Sequence, residues 1–227
     1  MENLLLQYLT GQTKEAKKPV IYPVITIRRE HGCHAGEIAA MLSKAINELK
    51  SDKKSPAWTW INKEIIESAA RELKINPNKV DALMTNSDKN IIENVIMAFS
   101  NDYISTYKAK NTISNVVKAQ AAKGNIIIVG RGGSAILADH PFALHLKLMA
   151  PPEWRIKMTM ERDNISLPKA KQKVEQIDFC RNLFVGSYTN NKPDSFFYDL
   201  VLNRMTLSSE EIVNTIISLM RCKKMII

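Results

Sequence analysis

Two short glycine-bearing stretches hold most of the chain's capacity for chemistry on phosphate. Of the eight glycines in 227 residues, Gly32 and Gly36 follow one apolar run, and Gly130, Gly132 and Gly133 follow another. Glycine lets backbone approach an anion closely and lets N–H groups converge on it, most effectively where a strand turns into a helix. The first stretch, Arg29-Glu30-His31-Gly32-Cys33-His34-Ala35-Gly36-Glu37, joins Val24-Ile25-Thr26-Ile27 to a helical pattern. A complete phosphate loop carries GxxxxGK followed by Ser or Thr, with lysine for the phosphates and the hydroxyl for Mg²⁺. Here Glu37 follows Gly36, and reading Gly32 as an inner glycine puts Ala35 at the lysine position. Taken alone, the stretch reads better as an ordinary strand-to-helix turn. His31, Cys33 and His34 are metal-ligand types, but their near-adjacent spacing suits zinc poorly and no second Cys/His pair completes a set. No metal site is expected.

Arginines supply the charge that such chemistry needs. Arg29 stands at a strand end where the lysine is missing downstream, so it is expected to provide the positive charge instead. Arg131, flanked by Gly130, Gly132 and Gly133 after a buried run, reads as functional rather than as a surface-turn residue. Arg155 and Arg162 lie two helical turns apart and can share one helix face, although solvated helix charges explain them equally well. Asp178 and Arg181, three apart, could be a plain surface ion pair.

The elements that must position these residues alternate between strands and helices. Val24–Ile27, Ile126–Val129, Ala143–Met149 and Leu200–Leu202 read as strands, with Trp58–Ile61 a weaker fifth. Their continuous apolar runs suit strands covered on both faces of a parallel sheet. Of Trp58 and Trp60, one is expected in the core and the other under a helix. Ile38, Ala39, Leu42, Ala45, Ile46 and Leu49 form one helical stripe, and Ile65, Ile66, Ala69, Ala70 and Leu73 another, stopped at Asn76-Pro77. Residues 88–123 read as two helices broken around Asn111. Pro152 opens a further helix reaching about Arg162, and Ser208 with Glu211 forms a capping box for the last one. The expected fold is α/β, a parallel sheet flanked by helices, with residues 1–20 a polar leader and 21–227 a single domain. Such sheets bind ligands at the carboxyl ends of their strands, where both glycine stretches fall.

Composition narrows the classes further. Lys+Arg 32 against Asp+Glu 23 gives a net charge of +9, which invites nucleic acid. The basic residues are spread out, however, and the densest run, Lys50, Lys53 and Lys54, is interrupted by Asp52. A groove for phosphorylated small molecules accounts for the surplus as well, and nucleic acid is disfavoured. Cys33, Cys180 and Cys222 are odd in number and far apart, so no disulfide framework is implied. With no signal-peptide pattern and no long apolar run, a soluble cytoplasmic protein is expected.

Several islands resemble the cytidylate kinase-like family of P-loop nucleoside monophosphate kinases. Ile25-Thr26-Ile27-x-Arg29-Glu30-x-Gly32 with Glu37-Ile38-Ala39 looks like the family's first strand and phosphate loop. Asn62-Lys63-Glu64-Ile65-Ile66 is similar to its Asp-Lys-Glu segment, with Asn62 in place of aspartate. Ile127-Ile128-Val129-Gly130-Arg131, Asp178-x-x-Arg181 and Tyr198-Asp199-Leu200-Val201-x-Asn203 follow in family order. The resemblance implies a P-loop NTPase-type three-layer fold with helical acceptor and lid segments. It implies phosphoryl transfer from ATP, with Mg²⁺, to a nucleoside monophosphate, cytidylate being the guess. Glu30 through Glu37 would cradle ATP, and Arg155, Arg162 and Arg181 would be lid arginines acting with Arg29. Arg131 would hold the acceptor phosphate, with Asn62, Asp178 and Asp199 beside it; for Asp199 a strand-edge cap is equally plausible. Nucleotides are the expected partners, and a homodimer is compatible with the pattern. Where the family usually has Gly-Ser-Gly-Gly, this chain has Gly32-Cys33-His34-Ala35. That departure supports a rival reading, a nucleotide- or phosphometabolite-binding protein without full catalytic power.

Overall fold

The computed structural model describes residues 21–49, 56–62, 64–74, 106–189 and 196–226. The expected leader, the basic run near Lys50 and the stop at Asn76-Pro77 lie outside them.

Five strands form one sheet: β1 (Val24–Arg29), β2 (Thr59–Ile61), β3 (Ile126–Val129), β4 (Ala143–Met149) and β5 (Leu200–Asn203). Their order is β2-β3-β1-β4-β5 and every pairing is parallel, with Ile25 beside Ile127 and Leu144, and Leu146 beside Leu200. The chain leaves β1 toward β2 and leaves β3 in the opposite direction toward β4. The carboxyl ends of β1 and β3 therefore border the crevice where such sheets take ligands.

Side-chain alternation explains why the strands read as unbroken apolar runs. Ile25, Ile27, Leu144, Leu146 and Leu148 are buried against Ile38, Leu42 and Ile46 of α1 (Ala35–Leu49), together with Ile212, Ile216 and Met220 of α7 (Ser209–Cys222). Val24, Ile126 and Ile128 face the other way, against Ile65 and Ala69 of α2 (Glu64–Leu73) and Ile113 and Val117 of α3 (Thr106–Lys123). Both faces are buried, so neither can be polar.

One helix boundary and one side chain differ from the sequence reading. The break expected around Asn111 is absent: α3 runs through it, with Asn111 exposed and Thr112 and Ile113 buried. One asparagine on the solvent side has too small a propensity penalty to end a helix whose other face is packed. Trp58 is in the core as expected, whereas Trp60 is 38% exposed and lies against Gly36 at the start of α1.

Three further helices complete the frame. α4 (Gly133–Ile136) is a single turn after β3. α5 (Pro152–Asp163) starts with Pro152 in its first turn and stops at Asn164, which takes the left-handed conformation at φ 50°. α6 (Leu167–Thr189) then runs back over the carboxyl ends of the strands. The capping box opens α7 as expected, with Ser208 Oγ accepting from the Glu211 N–H and Glu211 accepting from the Ser208 N–H.

Candidate functional site

Arg29 is the last residue of β1 and is half-buried at the edge of the crevice. Gly130, across the crevice at the end of β3, has φ +77°, and a Cβ there would stand 1.8 Å from Arg29 Nη1. Glycine is thus needed twice over, for its backbone conformation and for the room it leaves the guanidinium. Arg131 continues the turn at φ 54°, a left-handed conformation uncommon for a long side chain. Arg181 Nη1, from α6, donates to the Arg29 carbonyl oxygen at 3.4 Å. Burial, and then the charges of Arg181 and Arg131, press the Arg29 pKa from 12.5 down to about 9, while Asp178 opposes them. Arg181 is lowered too, chiefly by burial. Guanidinium does not surrender its proton in a folded protein. Three guanidinium groups this close together instead make a region of positive potential that suits an anion.

The loop after β1 is held from behind. Gly32 has φ +91°, and a Cβ there would meet the Arg155 carbonyl oxygen at 2.7 Å. Arg155, buried in α5, donates from Nε to the Ala150 carbonyl at 2.8 Å and pairs with Glu30 Oε2 at 3.2 Å. Its Nη1 reaches the His31 carbonyl at 3.3 Å and forms a short ion pair with Asp178. Asp178 Oδ1 in turn accepts the His31 backbone N–H at 2.7 Å. Cys33 is fully buried, and desolvation first, then Glu30, pushes its thiol up to about 12, which makes it unreactive. His34 sits at φ 50° immediately before α1.

Three cavities meet at Arg29 and Arg181. The loop cavity, 290 Å³, is lined by Glu30, His31, Gly32, His34, Ala35, Gly36, Glu37, Asn62 and Arg162 as well as those two arginines. A second, 220 Å³, lies over the β3 turn, with Arg131, Arg28 and Ser134 on one side and the apolar Ile177, Phe184 and Val185 of α6 on the other. A third, 460 Å³, opens toward β4 between Arg28, Lys147, Arg155, Asp178 and Asn182.

Most residues singled out in the sequence therefore converge, but four occupy other places than expected. Arg155, expected as a lid arginine on the reacting phosphates, has its guanidinium engaged with Glu30, Asp178 and two carbonyls, so it braces the loop. Asp178 was read as an acceptor ligand, yet it joins Arg155 to the loop, with Arg181 at 4.0 Å. Asn62, also read at the acceptor side, lines the loop cavity. Asp199 lies at the amino end of β5, away from the carboxyl-end site. There it accepts the His145 N–H at 2.7 Å and pairs with Lys223 at 3.2 Å, so the strand-edge cap describes it. Arg162 points into the loop cavity while pairing with Asp163 at 2.9 Å.

Arg28 was missed by the sequence reading. Facing away from Arg29, it donates to Tyr198 Oη at 3.2 Å and to Asn182, and Ser134 Oγ donates to the same tyrosine at 3.3 Å. A second arginine beside Arg29 at a strand end was the available signal.

Mg²⁺, which the resemblance implies, is commonly held by one or two carboxylates together with nucleotide phosphates. Among the described residues no three His, Cys, Asp or Glu side chains converge on one point, and of the carboxylates lining the loop cavity Glu30 is ion-paired with Arg155 while Glu37 accepts from Ser209 Oγ at 3.0 Å. The described side chains do not fit a protein-built magnesium site.

Comparison with known proteins agrees with this fold. A crystal structure of an uncharacterized protein from Eubacterium ventriosum is similar to this chain at TM-score 0.62 and 20% identity, covering 88% of this chain and 98% of that one. Shikimate kinase from Bacteroides thetaiotaomicron reaches TM-score 0.50 at 10% identity, over 88% and 98% of the two chains. TT1252 from Thermus thermophilus reaches 0.50 at 12%, over 89% and 97%. At these identities the likeness is one of fold, that of P-loop kinases. No curated protein matches significantly. Among the described residues no helix is long and apolar enough to cross a membrane. The model of the cytidylate kinase-like family matches residues 24–206, which carry the sheet, the loop and the arginine cluster, and the chain belongs to that family.

Proposed function

We propose that the protein transfers the γ-phosphoryl group of ATP to a nucleoside monophosphate, with cytidylate the preferred acceptor. One observation carries this reading: Arg29 and Arg181 are shared by the loop cavity and the cavity over the β3 turn. Two phosphate-bearing ligands seated in adjoining cavities would meet at those two arginines. An acceptor phosphate oxygen attacks the γ-phosphorus there as the bond to ADP breaks, and the arginines offset charge on the transferring group. Arg162 adds charge from the lid side, while Arg131 orients the acceptor phosphate through its fork. Arg155 and Asp178 hold the loop in place for the reaction. Mg²⁺ would have to enter with the nucleotide.

Calorimetry with ATP–Mg²⁺ and each nucleoside monophosphate, followed by an ADP-release assay, tests the proposal. ADP release that depends on a monophosphate, fastest with CMP, is the expected result; binding without turnover rejects it. That second outcome would favour a binding protein. Its supporting observation is that Asp178 already occupies the His31 N–H, a loop amide that would otherwise be offered to phosphate.

A further inference from the structure

The loop cavity has a feature that the arginines do not explain. Three buried polar atoms on its lining residues have no hydrogen-bond partner: His31 Nε2, His34 Nε2 and Asn62 Oδ1. His31 is only 7% exposed, so water does not readily satisfy it. A buried polar group left unmatched is costly, and several on one cavity mark a place for a ligand that supplies the missing bonds.

The surroundings select the sign of that ligand. Arg162 and Asp163 face the imidazoles from α5, Lys173, Asp178 and Arg181 from α6, Glu37 from α1, and Arg29 and Glu30 from the end of β1; Arg204 approaches from beyond β5 and the Cys33 thiol lies between. The carboxylates in this set are largely engaged already: Glu30 and Asp178 with Arg155, and Asp163 with Arg162 and Lys173. Guanidinium groups are left in excess around the cavity, which favours an anion over a metal cation.

We propose that His31 and His34 are phosphate ligands, each donating from Nε2–H into the loop cavity, so that a polyphosphate binds there together with a proton. This rests on the reading of the loop as a phosphate site and adds how that site works without a lysine. His34 takes one of the two positions, with Ala35, where the family usually has loop glycines, and its side chain offers a donor there. Without ligand both imidazoles are held neutral, His31 near a pKa of about 4, by burial first and then by the neighbouring arginines. A phosphate dianion against the rings reverses that bias and draws a proton from solvent. Asn62 Oδ1 remains available for a hydroxyl or amino group of the same ligand.

The test is titration calorimetry of the full chain with ATP and, separately, with inorganic tripolyphosphate, in buffers of unlike ionisation heat and at pH 6, 7 and 8. The expected result is a buffer-dependent enthalpy showing net proton uptake, and affinity that tightens as pH falls, by up to about tenfold per pH unit for one linked proton. Protonation of the ligand itself is common to all variants, so comparison with His34→Asn and His31→Asn isolates the protein's share. Asparagine tolerates the left-handed backbone at position 34. Each variant should bind more weakly and lose part of the pH slope, with a melting temperature confirming that it folds. A buffer-independent enthalpy, a full slope kept by both variants, or stabilisation by ZnCl₂ but not by tripolyphosphate overturns the proposal. Proton-linked tripolyphosphate binding without ADP release keeps it and rejects the kinase reading. ATP turnover without proton uptake does the reverse, and if neither polyphosphate binds, both fall.

Discussion

The two glycine turns do the same topological job at neighbouring strand ends, yet they are built in opposite ways. At Gly130–Gly133 three successive residues take positive φ, 77°, 54° and 69°, and the turn is shaped around another segment's arginine. At residues 30–37 only Gly32 and His34 do so, and the loop takes its form from behind, through Arg155 and Asp178. One turn is shaped by its own backbone, the other by a buried ion network. Apart from Gly32, whose positive φ and close approach to the Arg155 carbonyl require glycine, the second loop can therefore carry side chains without loss of the fold, provided the network stays.

The largest test of this contrast is Arg155→Ala. Removing the buried arginine leaves Glu30 without its cation and Asp178 with only Arg181, 4.0 Å away, and breaking such a buried pair from one side costs about 3–5 kcal/mol. Urea or thermal melts should show that loss, and a change under about 1 kcal/mol, the scale of surface pairs, would contradict the brace.

Gly130→Ala comes next. The new Cβ collides with Arg29 and strains a positive-φ position, a penalty of about 1–3 kcal/mol. Nucleotide affinity should fall with it as Arg29 is displaced. By contrast Gly36→Ala meets only the Trp60 ring edge at 3.8 Å and sits inside α1, so stability should rise by about 0.5–1 kcal/mol. Equal melting temperatures for the two variants would erase the distinction between the turns.

Arg29→Ala should weaken nucleotide binding at least about tenfold, the loss of one charge-assisted contact. The same change should leave stability unchanged or raised, because like charges at Arg131 and Arg181 no longer oppose a third. Parallel calorimetry and melts separate the two effects.

The last effect is one of pH. His31 binds a proton near pH 6.5 when unfolded but only near 4 when folded. Between those values the unfolded chain holds more protons, so stability is full above about pH 6.5 and falls as pH drops toward 4. His31→Asn should flatten that part of the stability profile, and an unchanged profile would place the acid sensitivity elsewhere.

Local order was legible in the sequence because it is written in local patterns. β3 and β4 fall on the residues their apolar runs indicated, and the Ser208–Glu211 cap lies where its spacing placed it. Both glycine stretches were found for the same reason, since strand-to-helix turns announce themselves in composition. The helix break at Asn111 was misread because the packing of the buried face, not the propensity of one exposed residue, decides continuity.

Where each arginine sits was decided only by the tertiary structure. Arg155 and Arg162 occupy equivalent places on one helical repeat, yet the first is buried on Glu30 and the second opens into the loop cavity. Periodicity can put two side chains on the same face of a helix. It cannot say where along that face another segment ends. Glu30 and Arg155 are brought to 3.2 Å only because β1 lies between β3 and β4, and Asp199 is carried away from the site because β5 begins at the opposite edge. The amino-acid sequence by itself determined the elements, the turns and the supply of positive charge. Sheet order and helix placement, which depend on contacts between residues far apart in the chain, decided which charges brace the loop and which line its cavity.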